Sequence, residues 1–273
     1  MKSLLTISRA PQFSPNSVEK DRAIIEAVAD RLRSSGCEVD LMAETAVIEL
    51  PPEVMNGYTR ILSMGRLPQT LDLLSAHHEK TINTAASVRI CSNRKTLRQL
   101  MASIPSPLLP PPSTLLPPPY NGSTSCWLKR TEGWALHPDD VCFCRDKEAL
   151  ASAIQQFAKR GVDDYVVSTH VEGDLVKFYG IRGTDFFRCY YPNDDGQSKF
   201  GLERHNGPSH HYPFPMPAFR NDIDRLATAI GIHVYGGDAI IRRDGTYCII
   251  DFNDWPSFSR CCDEAAKAIA DIV

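Results

Sequence analysis

Tyr235-Gly236-Gly237-Asp238-Ala239-Ile240-Ile241, a turn at Asp244-Gly245, and then Cys248-Ile249-Ile250-Asp251-Phe252-Asn253 decide how this chain reads. Asp-Gly between two apolar runs is a strong hairpin signal, so paired strands are expected over 233–241 and 246–252. Asp251 and Asn253 stand two residues apart, and alternate residues of a strand share one face. Asp238 interrupts the opposite strand within cross-strand reach of that face. Three oxygen-bearing side chains would be costly to desolvate together without a cation. Hard oxygen donors beside a phosphate-bearing substrate suit Mg²⁺ or Mn²⁺. The plainer alternative is a polar sheet edge, with Asn253 capping the turn before Pro256. Carboxylates set into otherwise apolar strands favour the cation.

Upstream of the hairpin, short strand-like runs occupy 126–130, 140–144, 164–170, 174–181 and 185–191. A helix over 146–160 interrupts them and stops at Gly161, as helix ends do. A loop rich in Gly, Pro, His and Asn covers 192–217, a helix 218–231, and a last helix starts at Ser259. The N-terminal part predicts a strand over 2–8 and a helix over 17–35, where Ile24, Ile25, Val28, Ala29 and Leu32 recur at helical spacing before Gly36. Strands at 37–42 and 58–64 and a helix at 67–76 complete a small α/β lobe with a largely parallel sheet. A helix at 93–103 leads into prolines at 105, 107, 110–112 and 117–119. Proline removes ladder donors, so this stretch reads as a stiff connector between lobes, or as a ligand for a proline-binding module. The expected units are 1–80, 81–165 with the connector at 104–119, and 166–273.

Composition sets the broad class. Across 273 residues, 42% are hydrophobic and 23% charged, which suits a folded globular chain and excludes disordered or fibrous architecture. No run approaches the length of a membrane span. The net charge of −3 offers no basic footprint for nucleic acid. Nine cysteines lack disulfide-scaffold spacing, which points to reduced thiols and a cytoplasmic protein.

The hairpin and its continuation, Asp251-Phe252-Asn253-Asp254-Trp255-Pro256, resemble the metal-binding end of the ATP-grasp superfamily, with its Gly-x-Asp strand and its acidic-x-Asn motif before a proline. The pattern extends over nearly the whole chain. It implies an α/β (α+β) fold in which an N-terminal parallel lobe precedes two α+β lobes that clasp ATP. Thr81-Ile82-Asn83-Thr84, Arg94-Lys95 and Ile104-Pro105 are similar to the stretch entering the nucleotide-binding half, making Lys95 the first ATP lysine. Trp127-Leu128-Lys129 resembles the strand carrying the second. Val166-Val167-Ser168-Thr169-His170-Val171-Glu172-Gly173 resembles the hinge whose backbone reads adenine, which places Ser168, Thr169 and His170 at the nucleotide and makes Asp174 a ribose or substrate contact. Asp238, Asp251 and Asn253 would then hold the metal, expected as two Mg²⁺ or Mn²⁺ ions.

Two departures matter. The phosphate loop, Lys129-Arg130-Thr131-Glu132-Gly133-Trp134-Ala135-Leu136-His137, has a single glycine, so more phosphate neutralisation falls to side chains. Asp251 also stands where ATP-grasp ligases mostly carry Glu. Both traits are similar to inositol phosphate kinases of the superfamily, as are Asp174-Leu175-Val176-Lys177-Phe178-Tyr179-Gly180 and His137. The resemblance therefore implies γ-phosphoryl transfer to a small anionic acceptor; the alternative is a carboxylate–amine ligase working through an acyl phosphate. A nucleotide-binding module without catalysis is the third reading, disfavoured by the intact acid-x-Asn pair. Lys177, Arg182 and Arg188 are the candidate catalytic cations. Lys199, Arg204 and His205, with His137 and Arg66, are the candidate substrate contacts. Arg66 follows a strand, where open α/β sheets bind ligands. Interleaved Asp185, Asp194, Asp195 and Glu203 leave open that the 177–211 stretch is solvated surface. His205, His210 and His211 fit no zinc spacing, and Cys142-x-Cys144 and Cys261-Cys262 read as packing residues.

Overall fold

The computed structural model describes residues 3–104, 115–122, 124–132, 137–195 and 201–273. The proline run from 105 to 112, four residues of the phosphate loop (133–136) and Lys199 lie outside these residues.

The first sheet grows around β1 (Ser3–Ser8), whose inner residues are buried on both faces, as a central parallel strand requires. β1 pairs in parallel with β2 (Glu38–Ala43) on one side and β3 (Arg60–Ser63) on the other; β4 (Thr81–Ile82) extends the sheet to the order β2-β1-β3-β4. α1 (Val18–Ser34) crosses from β1 to β2, burying Ile24, Ile25, Val28, Ala29 and Leu32. α2 (Glu44–Val47) and α3 (Pro68–Ser75) follow β2 and β3. Two further helices then run almost head to tail. Thr84 caps α4 (Ala85–Ser92) and Asn93 caps α5 (Arg94–Ser103), each side chain accepting an N–H from the first turn.

The second sheet is antiparallel, ordered β6-β5-β7 from β5 (Cys126–Arg130), β6 (Val141–Cys144) and β7 (Tyr165–Thr169), and α6 (Lys147–Lys159) packs on it. The third, also antiparallel, runs β11-β10-β8-β9 from β8 (Asp174–Ile181), β9 (Phe187–Tyr190), β10 (Val234–Ile241) and β11 (Tyr247–Asp254). α7 (Pro192–Asp195), α8 (Met216–Ile230) and α9 (Cys262–Ala270) are the remaining α-helices among the described residues.

Sheet membership departs from the expected boundaries in two ways. Thr81–Ile82 joins the first sheet and Tyr165–Thr169 the second, each a few residues past the expected division. α5 is tied to the end of β5 by Arg94, but its apolar face packs beneath the third sheet, where Leu97 and Met101 join the cluster of Phe219, Ile223 and Leu226 of α8. The far end of the proline stretch is no free connector. Leu115 is fully buried in that core, and its carbonyl accepts the Ile249 N–H at 2.6 Å.

The first and third sheets share a core. Leu4, Ile24, Val28 and Leu62 pack with Val234, Trp255, Phe258, Ala265 and Ile269. Buried Asn83 fastens the junction: its Oδ1 accepts the N–H groups of His233 (3.0 Å) and Val234 (2.9 Å), and its Nδ2 donates to the Val234 carbonyl at 2.7 Å. All nine cysteines, each among the described residues, are free thiols.

Candidate nucleotide and metal cleft

A cleft of about 330 Å³ opens between the two antiparallel sheets and reaches the strand ends of the first. Its floor is the hairpin quoted above. Asp238 is the one residue of β10 that is not fully buried, and in the register it faces Asp251 on one neighbour and Lys177 on the other. The register slips just after Asp238: Ala239 pairs with Ile249, leaving Ile250 as the extra residue of a bulge. Bulges re-aim side chains, and here Ile250 and Asp251 both line the cleft although they are consecutive. The Ile250 carbonyl accepts the Lys129 ammonium at 3.0 Å. Gly237 keeps this crossing close, since a Cβ there would stand 2.3 Å from the Asp251 carbonyl oxygen.

Cations and carboxylates interleave around the floor. Burial lifts Asp238 above the usual carboxylate range; Lys177 opposes the rise and Asp251 adds to it. Burial pushes Asp251 the same way, but Arg94 and Lys129, with a hydrogen bond from Asn253, overcome it and hold Asp251 below that range. Burial lowers Lys129, and the pull of Asp251 only partly offsets it. For Lys177, burial is outweighed by Asp238 and Glu203, which raise it; its Nζ stands 3.3 Å from Asp238 Oδ1 and 3.6 Å from Glu203 Oε1. Two carboxylates set face to face and an amide two residues on are hard oxygen donors fitted to Mg²⁺ or Mn²⁺. No cluster of three His, Cys, Asp or Glu side chains is formed among the described residues, so this donor set has two acids and one amide.

The cleft's outer half is apolar, walled by Val141, Val171, Leu175, Ile240 and Ile250, with Ser168, Thr169 and His170 along the strand joining the sheets. Trp127 Nε1 donates to His170 Nδ1 at 3.0 Å, and burial holds His170 below its ordinary value. The Thr169 hydroxyl donates to the Pro119 carbonyl at 2.9 Å, so the proline stretch braces this strand from behind.

Several of the expected site residues lie away from the cleft. Lys95 pairs with Asp164 on the surface; its neighbour Arg94 is buried, lines the cleft and donates to the Arg130 carbonyl at 2.7 Å, while its Nε has no partner. Asp174, expected as a ribose or substrate contact, is buried, and its two oxygens accept the backbone N–H groups of His210 (2.6 Å) and Tyr212 (2.8 Å), pinning the loop ahead of α8. Arg182 donates to the Ile232 carbonyl and touches His233, holding the turn into β10. Arg188 pairs with Glu264 and lies over Phe186. Neither lines the cleft. His137 caps its own short turn by accepting the Asp139 N–H, Arg204 is exposed, and His205 stacks on Phe143 at 4.2 Å beside Trp127. Of the expected substrate contacts among the described residues, Arg66 alone lines the cleft.

Sequence reading missed Arg9, Asp21, Arg94, Glu203 and Asp254. For two of them a signal exists. Arg94 shares the helical stripe of Leu97 and Met101, whereas Lys95 falls off it, and Arg9 follows β1 just as Arg66 follows β3.

A parallel α/β lobe, followed by two antiparallel sheets that enclose a cleft with cations facing an acid-x-Asn strand, defines the ATP-grasp fold. Among solved structures, a RimK-domain ATP-grasp protein from Sphaerobacter thermophilus DSM 20745 matches 100% of this chain and 99% of its own at TM-score 0.66 and 18% identity. D-alanine–D-alanine ligase from Bacillus anthracis matches 98% of this chain and 92% of its own at TM-score 0.60 and 11% identity. L-amino acid ligase from Bacillus licheniformis matches 96% of this chain and 69% of its own at TM-score 0.56 and 14% identity. No family model and no curated protein matches the sequence. No helix among the described residues is long and apolar enough to cross a membrane.

Proposed function

We propose that this chain is a Mg²⁺- and ATP-dependent ligase that activates the carboxylate of a small anionic substrate as an acyl phosphate and joins it to an amine, in the cytoplasm. The observation that carries this reading is the continuity of one cleft, from an apolar nucleotide end, past Asp238, Asp251 and Asn253, to an arginine-bearing end at the first sheet. Val141, Leu175, Ile240 and Ile250 would sandwich the base, and the 168–171 backbone would read its edge. Arg94 and Lys129 would grip the phosphates, where charge-assisted bonds are strongest. Asp238, Asp251 and Asn253 would hold the metal, which supplies charge neutralisation at the transferring phosphoryl group. Lys177, fixed between Asp238 and Glu203, orients the first of those ligands.

Phosphoryl transfer to a hydroxyl is the second reading, favoured by Asp251-x-Asn253. Arg182 and Arg188, candidate catalytic cations of either reading, stand off the cleft and so favour neither; the likeness to solved ligases supports the first reading. Hydroxylamine separates the two. With ATP, Mg²⁺ and a panel of carboxylates, the ligase yields a hydroxamate and free phosphate in the ³¹P spectrum. A stable phosphate ester with polyol acceptors, and no hydroxamate, overturns the ligase in favour of the kinase.

A further inference from the structure

Four aromatic rings crowd together at the apolar end of the cleft. His170 lies edge-on to Phe143, with centroids 5.2 Å apart, and His205 stacks on the same ring at 4.2 Å beside Trp127. One hydrogen bond in this group fixes a proton. The Trp127 indole nitrogen meets His170 Nδ1 at 3.0 Å. An indole N–H can only donate, so Nδ1 must present its lone pair. Burial, opposed by Glu172 and assisted by His205, holds His170 below its ordinary value, which keeps the ring neutral at neutral pH. A neutral imidazole with Nδ1 bare carries its proton on Nε2. His170 lines the cleft, and its Nε2 is neither sealed from solvent nor partnered among the described residues. The ring is therefore an N–H donor of fixed tautomer.

The main chain beside it has little to donate. The Thr169 N–H goes to the Pro118 carbonyl (3.4 Å) and the His170 N–H to the Ser125 carbonyl (2.9 Å). The Val171 carbonyl is engaged as well, accepting Asn206 Nδ2 at 3.2 Å. Val141, Leu175, Ile240 and Ile250 line the surrounding cleft and offer a ligand no polar side chain. A purine base brings acceptors of its own, at its ring nitrogens.

We infer that His170 is a specificity-determining residue of the nucleotide site: its Nε2–H donates to a ring nitrogen of the base, and Trp127 is the positioning residue that fixes the tautomer. The inference rests on the nucleotide reading of the cleft and adds to it a side-chain contact with a stated polarity. A base presenting a ring nitrogen lone pair at this point is selected. One presenting a hydrogen there is disfavoured, because the imidazole donor is left unmatched away from water.

Two measurements test it. The first needs no nucleotide: ¹⁵N-correlated NMR of the imidazole rings reports the His170 tautomer in the wild-type chain, with His170→Phe identifying its signals. Nε2–H with bare Nδ1 is expected, giving way to a mixture of tautomers in Trp127→Phe. An Nδ1–H ring in the wild type overturns the inference. The second is calorimetric titration, with Mg²⁺ present, of ATP and its 1-deaza, 3-deaza and 7-deaza analogues, each of which replaces one ring nitrogen by C–H. One analogue should bind the wild type about three- to tenfold more weakly than ATP, and that penalty should vanish in His170→Phe, whose ring keeps the apolar packing. The analogue that behaves so names the base atom. If every analogue binds as ATP does, or every penalty survives in His170→Phe, the contact is overturned. A wild-type chain that binds none of the four nucleotides overturns the nucleotide reading and the inference with it, a result distinct from ATP binding that ignores the ring nitrogens.

Discussion

Replacing Arg94 with methionine, and in parallel Lys95 with alanine, tests which of two adjacent cations meets ATP. Arg94 is 8% exposed, and its Nη1 occupies the Arg130 carbonyl while Nε stays unpartnered. Methionine keeps most of the volume, so the loss is electrostatic. A hydrogen bond to a charged group is worth about 1.5–3 kcal/mol, which converts to a roughly 10- to 150-fold weaker ATP affinity. The orphaned Arg130 carbonyl should lower stability by about 1–3 kcal/mol as well. Lys95 and Asp164 have side chains 52% and 58% exposed, and ion pairs in water contribute little. Lys95→Ala should therefore leave nucleotide affinity unchanged. Calorimetric titration of AMPPNP with Mg²⁺ measures both, and thermal unfolding checks the fold. An Arg94→Met chain that binds as tightly as wild type, or a Lys95→Ala chain that loses binding, would refute the assignment and restore Lys95 as the phosphate ligand.

Asp251→Asn should abolish metal-dependent ATP turnover while the circular dichroism spectrum stays native, because it removes one charge from a hard-cation donor set. Asp174→Asn sets an amide donor against backbone N–H groups that need acceptors; it should lower stability by about 1–3 kcal/mol, speed amide exchange at His210 and Tyr212, and spare nucleotide affinity. Burial, aided by Arg182 and then Arg60, holds His233 below its ordinary value, and burial does the same to His170 and His205. Because these folded-state values are lowered, the unfolded chain takes up protons that the folded one resists; stability should be full above about pH 6.5 and fall below it, read as a lower Tm at about pH 5.5 than at pH 7.5.

Most strands and long helices were legible because their apolar periodicity is local. α1, α6, β8 and the closing hairpin start and stop within a few residues of the expected bounds. α4 escaped notice since Ala85–Ser92 is short and runs straight into the next cap. Asp251 and Asn253 are legible together because strand alternation puts them on one face, whereas Lys129, on another sheet, is reached only through the resemblance of Trp127-Leu128-Lys129 to an ATP-grasp strand. Arg94 could not be separated from Lys95 without helix phase. Arg182 and Arg188 misled because cationic density along the chain says nothing about which side of a sheet edge a side chain takes. Arg9 and Asp254 meet across 245 residues of sequence, and no local pattern announces such a pairing.

The core shared by the first and third sheets also sets an order of events at synthesis. Ile24 and Val28 are buried against Ala265 and Ile269, so one face of the first helix stays unsheltered until nearly the whole chain has been made. At about 5–20 residues per second, that wait is on the order of ten to fifty seconds. The middle sheet, closed by its own cluster around Leu128 and Phe157, needs nothing from the last residues. The second unit to be translated can therefore finish folding before the first, and the N-terminal lobe is the part that a nascent-chain chaperone would have longest to hold.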